Sequence, residues 1–329
     1  MKIFSHWLIA VSPFPAYISG FILSLVLFLS YLLIASHSGL MDQTFNNDAS
    51  SIQLRASLTL MVLVGYLPAA HWYLRKWSHE RIGELIESFA LHDEPPMLKE
   101  RMVVPAGVVG CLVFIALFHI IPNPGYYIIQ PWNWSLNYAA VIAASSLVGW
   151  WMGRLSFELI DTALHLTTMA KRLPKLNLLD TAAFKPFAQQ GVQSALLIVI
   201  LMSITSHLAV NPGKTIVGAI AFMCVMSVLT VIALIFPVRG IHRRLQARKN
   251  EELGAIRMQI RSEQEKLCIG SDRDTSRLLA LLAMETRIER VSEWPFDVGS
   301  ISRFLFYLFL GLGSWVGAAV VERLLNSAL

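Results

Sequence analysis

Seven long apolar stretches constrain this chain more than any other feature of its sequence. By hydropathy they are Tyr17–Ser36, Arg55–Leu74, Val103–Ile121, Leu136–Leu155, Ser194–Val210, Thr215–Pro237 and Ile301–Leu324. Each approaches the length of about 20 residues that an α-helix needs to cross the hydrocarbon core of a bilayer. The chain is 55% hydrophobic and only 15% charged, whereas about a quarter of the residues of a soluble domain are charged. The sequence therefore predicts an all-α integral membrane protein with about seven transmembrane helices.

The loops between these stretches alternate in basic charge. The first and third loops have no Lys or Arg, and the fifth has only Lys214. The second loop holds Arg75, Lys76, Arg81, Lys99 and Arg101, the fourth holds Arg154, Lys171, Arg172, Lys175 and Lys185, and the sixth holds thirteen basic residues between Pro237 and Arg303. Under the positive-inside rule, the even-numbered loops are cytoplasmic. The pattern predicts a multi-pass protein with a cytoplasmic N-terminus and a C-terminus on the outer side.

The net charge of +5 follows from these cytoplasmic loops, where anionic lipid headgroups attract basic side chains. No nucleic-acid-binding motif accompanies the charge. The bilayer, rather than a nucleic acid, is the partner that this charge predicts.

Helical spacing predicts helices in two of the inner loops. In the segment 78–91, four apolar residues recur on one face, and Ser78 stands where an N-cap would begin a separate interfacial or packing helix. The apolar face consists of Ile82, Leu85, Ile86 and Phe89. The same periodicity continues the fourth membrane helix to Pro174.

The sixth loop has two heptad-like segments separated by Gly270, Ser271 and Asp272, which predict an antiparallel helical hairpin. Its apolar positions are Leu245, Leu253, Ile256, Ile260 and Leu267, followed by Leu278, Leu281, Ile288 and Val291. We therefore divide the chain into helices 1–6 with the interfacial helix at 1–237, a cytoplasmic helical hairpin at 238–300, and helix 7 at 301–329.

Groups that could carry catalytic chemistry are few. Glu158, Asp161 and His165 share one face of the extended fourth helix, either as part of a metal site or, as we interpret them, as a polar face near the inner interface. Motifs for a nucleophile, a nucleotide or a zinc ion do not occur. The spans contain almost no ionisable residues, which argues against a proton-coupled transporter or an ion pump. We expect no enzymatic activity, no cofactor and no metal.

Two short motifs flank the hairpin and are candidate gating junctions. PVRGIH ends the sixth helix, and EWPFD precedes the seventh, where Pro295 should end the cytoplasmic helix and Asp297 or Ser300 should cap the next one. The junction residues are Pro237, Gly240, His242, Trp294, Pro295, Phe296, Asp297 and Arg303. The alternative is ordinary anchoring at the headgroup level.

Small residues at helical spacing predict close contacts between helices. Gly149 and Gly153 lie on one face of the fourth helix, and Gly313 and Gly317 form a GxxxG motif in the last helix. Such motifs serve either packing within one chain or contacts between subunits.

The motifs PVRGIHRR, KNEEL and WPFD, from Pro237 onwards, resemble a family of uncharacterised prokaryotic polytopic membrane proteins. This resemblance implies a location in a prokaryotic inner membrane. The order of helices, with a cytoplasmic N-terminus and a cytoplasmic extension before the last helix, also resembles the seven-helix channels of insect chemoreceptors.

Two functional hypotheses follow. The first is an oligomeric, ligand-gated cation channel with the last helix near the pore and the hairpin as its assembly region. The alternative is a membrane scaffold or signal transducer whose hairpin recruits a cytoplasmic protein partner.

Overall fold

The described part of the chain folds into α-helices. The computed structural model describes residues 14–37, 48–89, 102–116, 136–173, 178, 181–209, 216–268, 275–296, 299, 301–311 and 313, and this part contains no β-strand. Its helices are α1 (Ala16–His37), α2 (Asp48–Phe89), α3 (Val103–Ile115), α4 (Leu136–Arg172), α5 (Lys185–Ala209), α6 (Ile216–Ile235), α7 (Arg239–Cys268), α8 (Thr275–Glu289) and α9 (Ile301–Gly311). A short 3₁₀ helix, Thr181–Phe184, leads into α5.

Three of these helices contain segments long and apolar enough to cross a membrane, namely Ala16–His37, Ala56–Phe89 and Lys185–Thr205. The helix α3 and the described part of α9 are apolar but shorter. The helices α4 and α6 form where the sequence predicts the fourth and sixth spans. The all-α class is confirmed for the described residues. Of the seven predicted spans, three correspond to described helices that are long and apolar enough to cross a membrane.

Helices α2, α4 and α5 form the centre of the bundle, where α2 packs against both α4 and α5, and the other apolar helices pack around them. Helix α1 contacts α2, α3 contacts α4, and α6 contacts α5, while Gly311 brings α9 against Val199 and Met202 of α5. The outer helices expose large apolar side chains, such as Phe21 on α1 and Phe309 on α9. Apolar surface of this extent suits contact with lipid rather than water.

Glycines bring α3 and α4 into close backbone contact. A Cβ atom placed on Gly149 would lie 2.7 Å from Phe114 Cβ and 2.8 Å from Gly110 O. A Cβ atom on Gly153 would collide with Ala106 O. The small-residue face predicted on the fourth helix is confirmed, and it serves packing within the chain.

The buried apolar residues form two cores that follow each other along the same central helices. The first core joins α1, α2, α4 and α5 and includes Tyr31, Leu63, Leu67, Val148 and Met202. The second core contains residues from the ends of α2 and α4, from the start of α5, and from α7 and α8. It includes Leu85, Leu166, Phe187, Ile241 and Ile288. Helices α2 and α4 therefore run through both cores without a break.

The separate interfacial helix predicted at 78–91 is, as far as Phe89, the continuation of α2. The Ser78 hydroxyl donates to Leu74 O at 2.8 Å, so it bonds within a continuous helix and caps nothing. The predicted N-cap was wrong because a serine inside a helix can return its hydroxyl to the carbonyl four residues earlier. The predicted apolar face does pack, since Ile82 and Leu85 are buried in the second core.

Helices α7 and α8 lie antiparallel. Arg277 Nη1 lies 3.6 Å from Glu263 Oε1 at one end, and Lys249 Nζ lies 3.6 Å from Glu293 Oε1 at the other. The apolar residues predicted to face the partner helix, including Leu253, Ile256 and Ile260, are buried. The predicted turn at 270–272 lies outside the described residues.

Between these ends, Arg257 Nε and Nη2 donate to Glu285 and Glu289 at 2.7 Å each. The hydrogen bond that Arg257 donates to Glu285 is the main cause that raises the pKa of Arg257, and the contact with Glu289 raises it further. Because these groups are exposed, water and salt screen the ion pairs, which therefore add little stability. Their geometry is consistent with one register of the two helices.

The α7–α8 pair begins where the sequence predicts, but its second helix ends earlier than predicted. A turn at Phe236–Val238 separates α6 from α7, where the sequence predicts a bend at Pro237. Pro295, however, does not end the second helix of the pair, because α8 already ends at Glu289. The residues Asp297 and Ser300, predicted to cap the last helix, lie outside the described residues.

Candidate functional site

A polar layer lies between the two apolar cores, on the three central helices. It consists of His71 and Ser78 on α2, Arg154, Glu158, Asp161, Thr162 and His165 on α4, and Gln190 and Ser194 on α5. Along α4 the layer extends from Arg154 to His165, which is about 16 Å at 1.5 Å per residue. Polar groups in such a position need partners inside the protein.

Arg154 is the most buried charged residue of this layer, with an exposed fraction of 0%. Its guanidinium carbon lies 4.6 Å from the centre of the Trp151 ring, a cation–π contact. Two of its nitrogens, Nε and Nη1, have no hydrogen-bond acceptor in the described part of the chain. Glu158, one turn later on α4, interacts electrostatically with Arg154, and Arg75 on α2 opposes it. A buried cation with this incomplete set of partners depends strongly on the neighbouring carboxylate.

His71 connects the layer from α2 to α4. Its Nε2 lies 3.9 Å from Glu158 Oε2, and its ring meets Trp151 edge to face with 5.5 Å between ring centres. Asp161 and His165 are also buried on α4. Among the described residues no group of three His, Cys, Asp or Glu side chains is arranged to hold a metal ion.

Neutral polar side chains join α2 and α4 to α5. The hydroxyls of Ser78 and Thr162 are 3.2 Å apart, and Gln190 Nε2 donates to the Ser78 hydroxyl at 3.3 Å. Gln190 also donates to Ser194 at 3.4 Å. These bonds fix the spacing of the three helices within the layer.

The sequence pattern assigns Arg154 to the fourth loop, and Glu158, Asp161 and His165 to a polar face near the inner interface. It does not predict that this face is buried inside the protein. Packing of α4 against α2 buries Arg154, Asp161 and His165. The available signal was that Arg154 already lies inside the apolar stretch Leu136–Leu155.

A second group of side chains, which we call the joint, holds the segment after α8 against α7. It consists of His242 and Lys249 on α7 with Glu293, Trp294 and Phe296. The rings of His242 and Trp294 stack with 4.0 Å between their centres and 13° between their planes. His242 Nδ1 lies 3.0 Å from Glu293 O. The ring of Phe296 stacks on the ring of Trp294, with 6.0 Å between their centres.

Lys249 was not predicted from the sequence, although it makes more bonds to this segment than any other α7 side chain described. Its ammonium group donates to Glu289 O and Val291 O at 2.9 Å each. These are carbonyl groups at the end of α8, where a helix leaves its last carbonyls without internal donors. Lys249 therefore caps α8 from a neighbouring helix.

Replacing Lys249 by methionine should loosen the end of α8, since two charge-assisted hydrogen bonds are lost. We expect a loss of about 1 kcal/mol in stability and roughly fivefold faster amide hydrogen exchange at 286–291. Arg248→Met is the matched control, because the described partners of Arg248 are Glu251 and Glu252 on its own helix. Equal exchange at 286–291 in both variants would contradict the capping role.

Other predicted junction residues occupy different places. Pro237 is buried in the turn before α7, and Gly240 lies so close to α4 that a Cβ atom would be 2.8 Å from Thr167 Cα. Arg303 is exposed and donates to Gly299 O, four residues earlier, at 3.0 Å. A Cβ atom on Gly313 would meet no neighbour within 4 Å among the described atoms. Asp297 and Gly317 lie outside the described residues.

No protein-family model, curated protein or solved structure matches this chain. The polar layer and the joint therefore rest on their own geometry.

Proposed function

We propose that this is a seven-span protein of a prokaryotic inner membrane, with a cytoplasmic N-terminus and an outer C-terminus. The three membrane-suited helices support a membrane location. The orientation is supported by the basic residues of the even-numbered loops. In this orientation the second core and the α7–α8 pair are cytoplasmic, and α7–α8 is the predicted hairpin.

Cysteine labelling tests the orientation. After replacement of the native cysteines, a cysteine at Asn46 or Tyr127 should react with a membrane-impermeant maleimide in intact cells. A cysteine at Asp272 should react only after permeabilisation. Labelling of Asp272 in intact cells, with protection of the other two, would reverse the topology.

Within this membrane frame we propose an oligomeric, ligand-gated cation channel in which the joint transmits movement between α7–α8 and α9. The observation that carries this proposal is the stack of Trp294 on His242. It connects the segment leading into α9 to a helix that itself touches α4 through Gly240. Movement of the α7–α8 pair can therefore reach both the central bundle and the last helix.

Ion flux through liposomes containing the purified protein tests the gating role. Trp294→Ala combined with Arg303→Ala should change the flux while the assembly stays intact. Loss of an aromatic stack of about 1 kcal/mol predicts a roughly fivefold shift between open and closed states. Trp294→Phe keeps a stacking ring and should behave like the wild type. Absence of flux from the wild type at varied voltage, pH and ligand pools would reject the channel.

The second candidate is a scaffold or signal transducer, and the outer face of α8 favours it. Leu279 and Leu282 are exposed large apolar residues three positions apart on one side of α8, a helix whose other face is packed against α7. In the cytoplasm such an apolar face would be exposed to water. Exposed apolar surface of this kind is typical of a binding site for another protein.

The mass of the detergent-solubilised particle separates the two candidates. A stable ring of identical chains that loses its contacts when Leu279 and Leu282 are replaced by serine supports the channel. A monomer that co-purifies with one soluble protein, and releases it in the same variant, supports the scaffold.

A further inference from the structure

Four exposed cations flank the place where the start of α7 crosses the end of α4. Gly240 packs on Thr167, and Arg244 Nη1 donates to Ala170 O and to Lys171 O. Arg244 is thus used to cap the end of α4, and it is not free to bind a ligand. The exposed cations around this crossing are Lys171 and Arg172 on α4 and Arg239 and Arg243 on α7.

This cluster has no neutralising partner in the parts of α4 and α7 that the structure describes. None of its four side chains forms an ion pair or a hydrogen bond there. Along the two helices themselves, residues 162–173 and 239–250 contain no Asp or Glu, and Glu293, which lies beside His242, pairs with Lys249. Other basic side chains of α7, such as Arg257, are matched by glutamates.

The cluster also lies next to apolar surface of the kind that faces lipid. Ile232 and Ile235 are exposed at the end of α6, and a three-residue turn connects them to Arg239. Arg239 and Arg243 are one helical turn apart and share a face of α7. Fixed cations directly beyond an apolar helix end fall at the depth of lipid phosphates.

We propose that this crossing binds the phosphate of an anionic phospholipid of the inner leaflet, which bridges α4 and α7. Guanidinium and ammonium groups suit phosphate oxygens, and the bound lipid would neutralise charges that otherwise repel each other. The proposal relies on the membrane orientation given above but not on ion conduction.

Native mass spectrometry of the full chain in neutral detergent tests this binding, with phosphatidylglycerol as the probe and phosphatidylcholine as the comparison. The wild type should bind phosphatidylglycerol more tightly. Arg239→Gln with Arg243→Gln should weaken that binding by about 20-fold, as expected for two cations near the headgroup. Arg239→Lys with Arg243→Lys keeps the charge and should retain most of the affinity.

The matched control is Arg261→Gln with Arg287→Gln, which removes the same charge from exposed positions roughly 20–30 Å further along α7–α8. Its affinity should stay within about twofold of the wild type, because that distance exceeds the Debye length of about 10 Å. Equal losses in both double variants would overturn the site in favour of unspecific attraction. Equal affinity of the wild type for the two lipids would overturn it even if a variant failed to fold.

A final arm separates a lipid from a free phosphate. Glycerol phosphate, added without lipid, should not compete with phosphatidylglycerol at comparable concentration, because it lacks the acyl chains that would lie against α6. Full competition by glycerol phosphate would assign the cluster to a soluble phosphate compound and reject the lipid.

Discussion

Replacement of Glu158 by alanine should lower the free energy of unfolding by about 3 kcal/mol. The reason is Arg154, which is fully buried and has two nitrogens without an acceptor among the described residues. Glu158 is a carboxylate that interacts with this cation, and it also lies beside His71. Its removal would leave a buried positive charge without that compensation. Unfolding in mixed detergent micelles, followed by circular dichroism, measures the effect.

The double variant Arg154→Met with Glu158→Ala should recover most of the lost stability, because it removes the cation together with its partner. Arg154→Met alone should cost little, since methionine fills similar space without unsatisfied donors. Glu87→Ala, at an exposed position on α2, should change stability by less than about 0.5 kcal/mol. If the double variant were as unstable as Glu158→Ala, Glu158 would act through a group other than Arg154.

A glycine-to-alanine change should lower the free energy of unfolding at one helical position of this chain and raise it at another. Gly149→Ala should cost about 2 kcal/mol, because the new methyl group would meet Phe114 and the backbone of Gly110 and force α3 away from α4. Gly254→Ala should instead gain about 1 kcal/mol, because its Cβ atom would enter open space on α7 and alanine favours the helix. The same unfolding assay compares the two.

Amide hydrogen exchange gives an independent readout of the α3–α4 contact. Gly149→Ala should speed exchange at residues 103–115, whereas Gly254→Ala should leave exchange there unchanged. Equal stability of Gly149→Ala and Gly254→Ala would mean that the two helices can separate without cost, contrary to their glycine-mediated packing.

The helices of this fold follow from the sequence because apolar length and periodicity are local properties. The stretch Tyr17–Ser36 corresponds to α1, Ala16–His37, with a difference of one residue at each end. Heptad-like spacing also identified the buried side of α7. The helix break predicted at Ser78 was wrong because serine occurs both as an N-cap and inside a helix, where its hydroxyl bonds to the carbonyl four residues earlier.

The candidate site was only partly predictable, since it depends on which helix faces which. Trp294 and His242 were both identified from their motifs, but their stacking depends on the antiparallel packing of α7 and α8. Arg154 was missed because an average over about 20 residues does not reveal the direction of a single side chain. Lys249 was missed for a similar reason, since its partners are backbone carbonyls of a helix 40 residues later.

The second core has a consequence for how the chain is made. Ile82 and Leu85 of α2 and Leu166 of α4 leave the ribosome long before α7, whose Ile241 covers the same core, about 160 residues after Ile82. During this interval the apolar ends of α2 and α4 have no partner from α7 or α8. A chain truncated before Arg239 would keep that surface permanently uncovered, so quality-control proteases should remove it even when its earlier membrane helices are inserted.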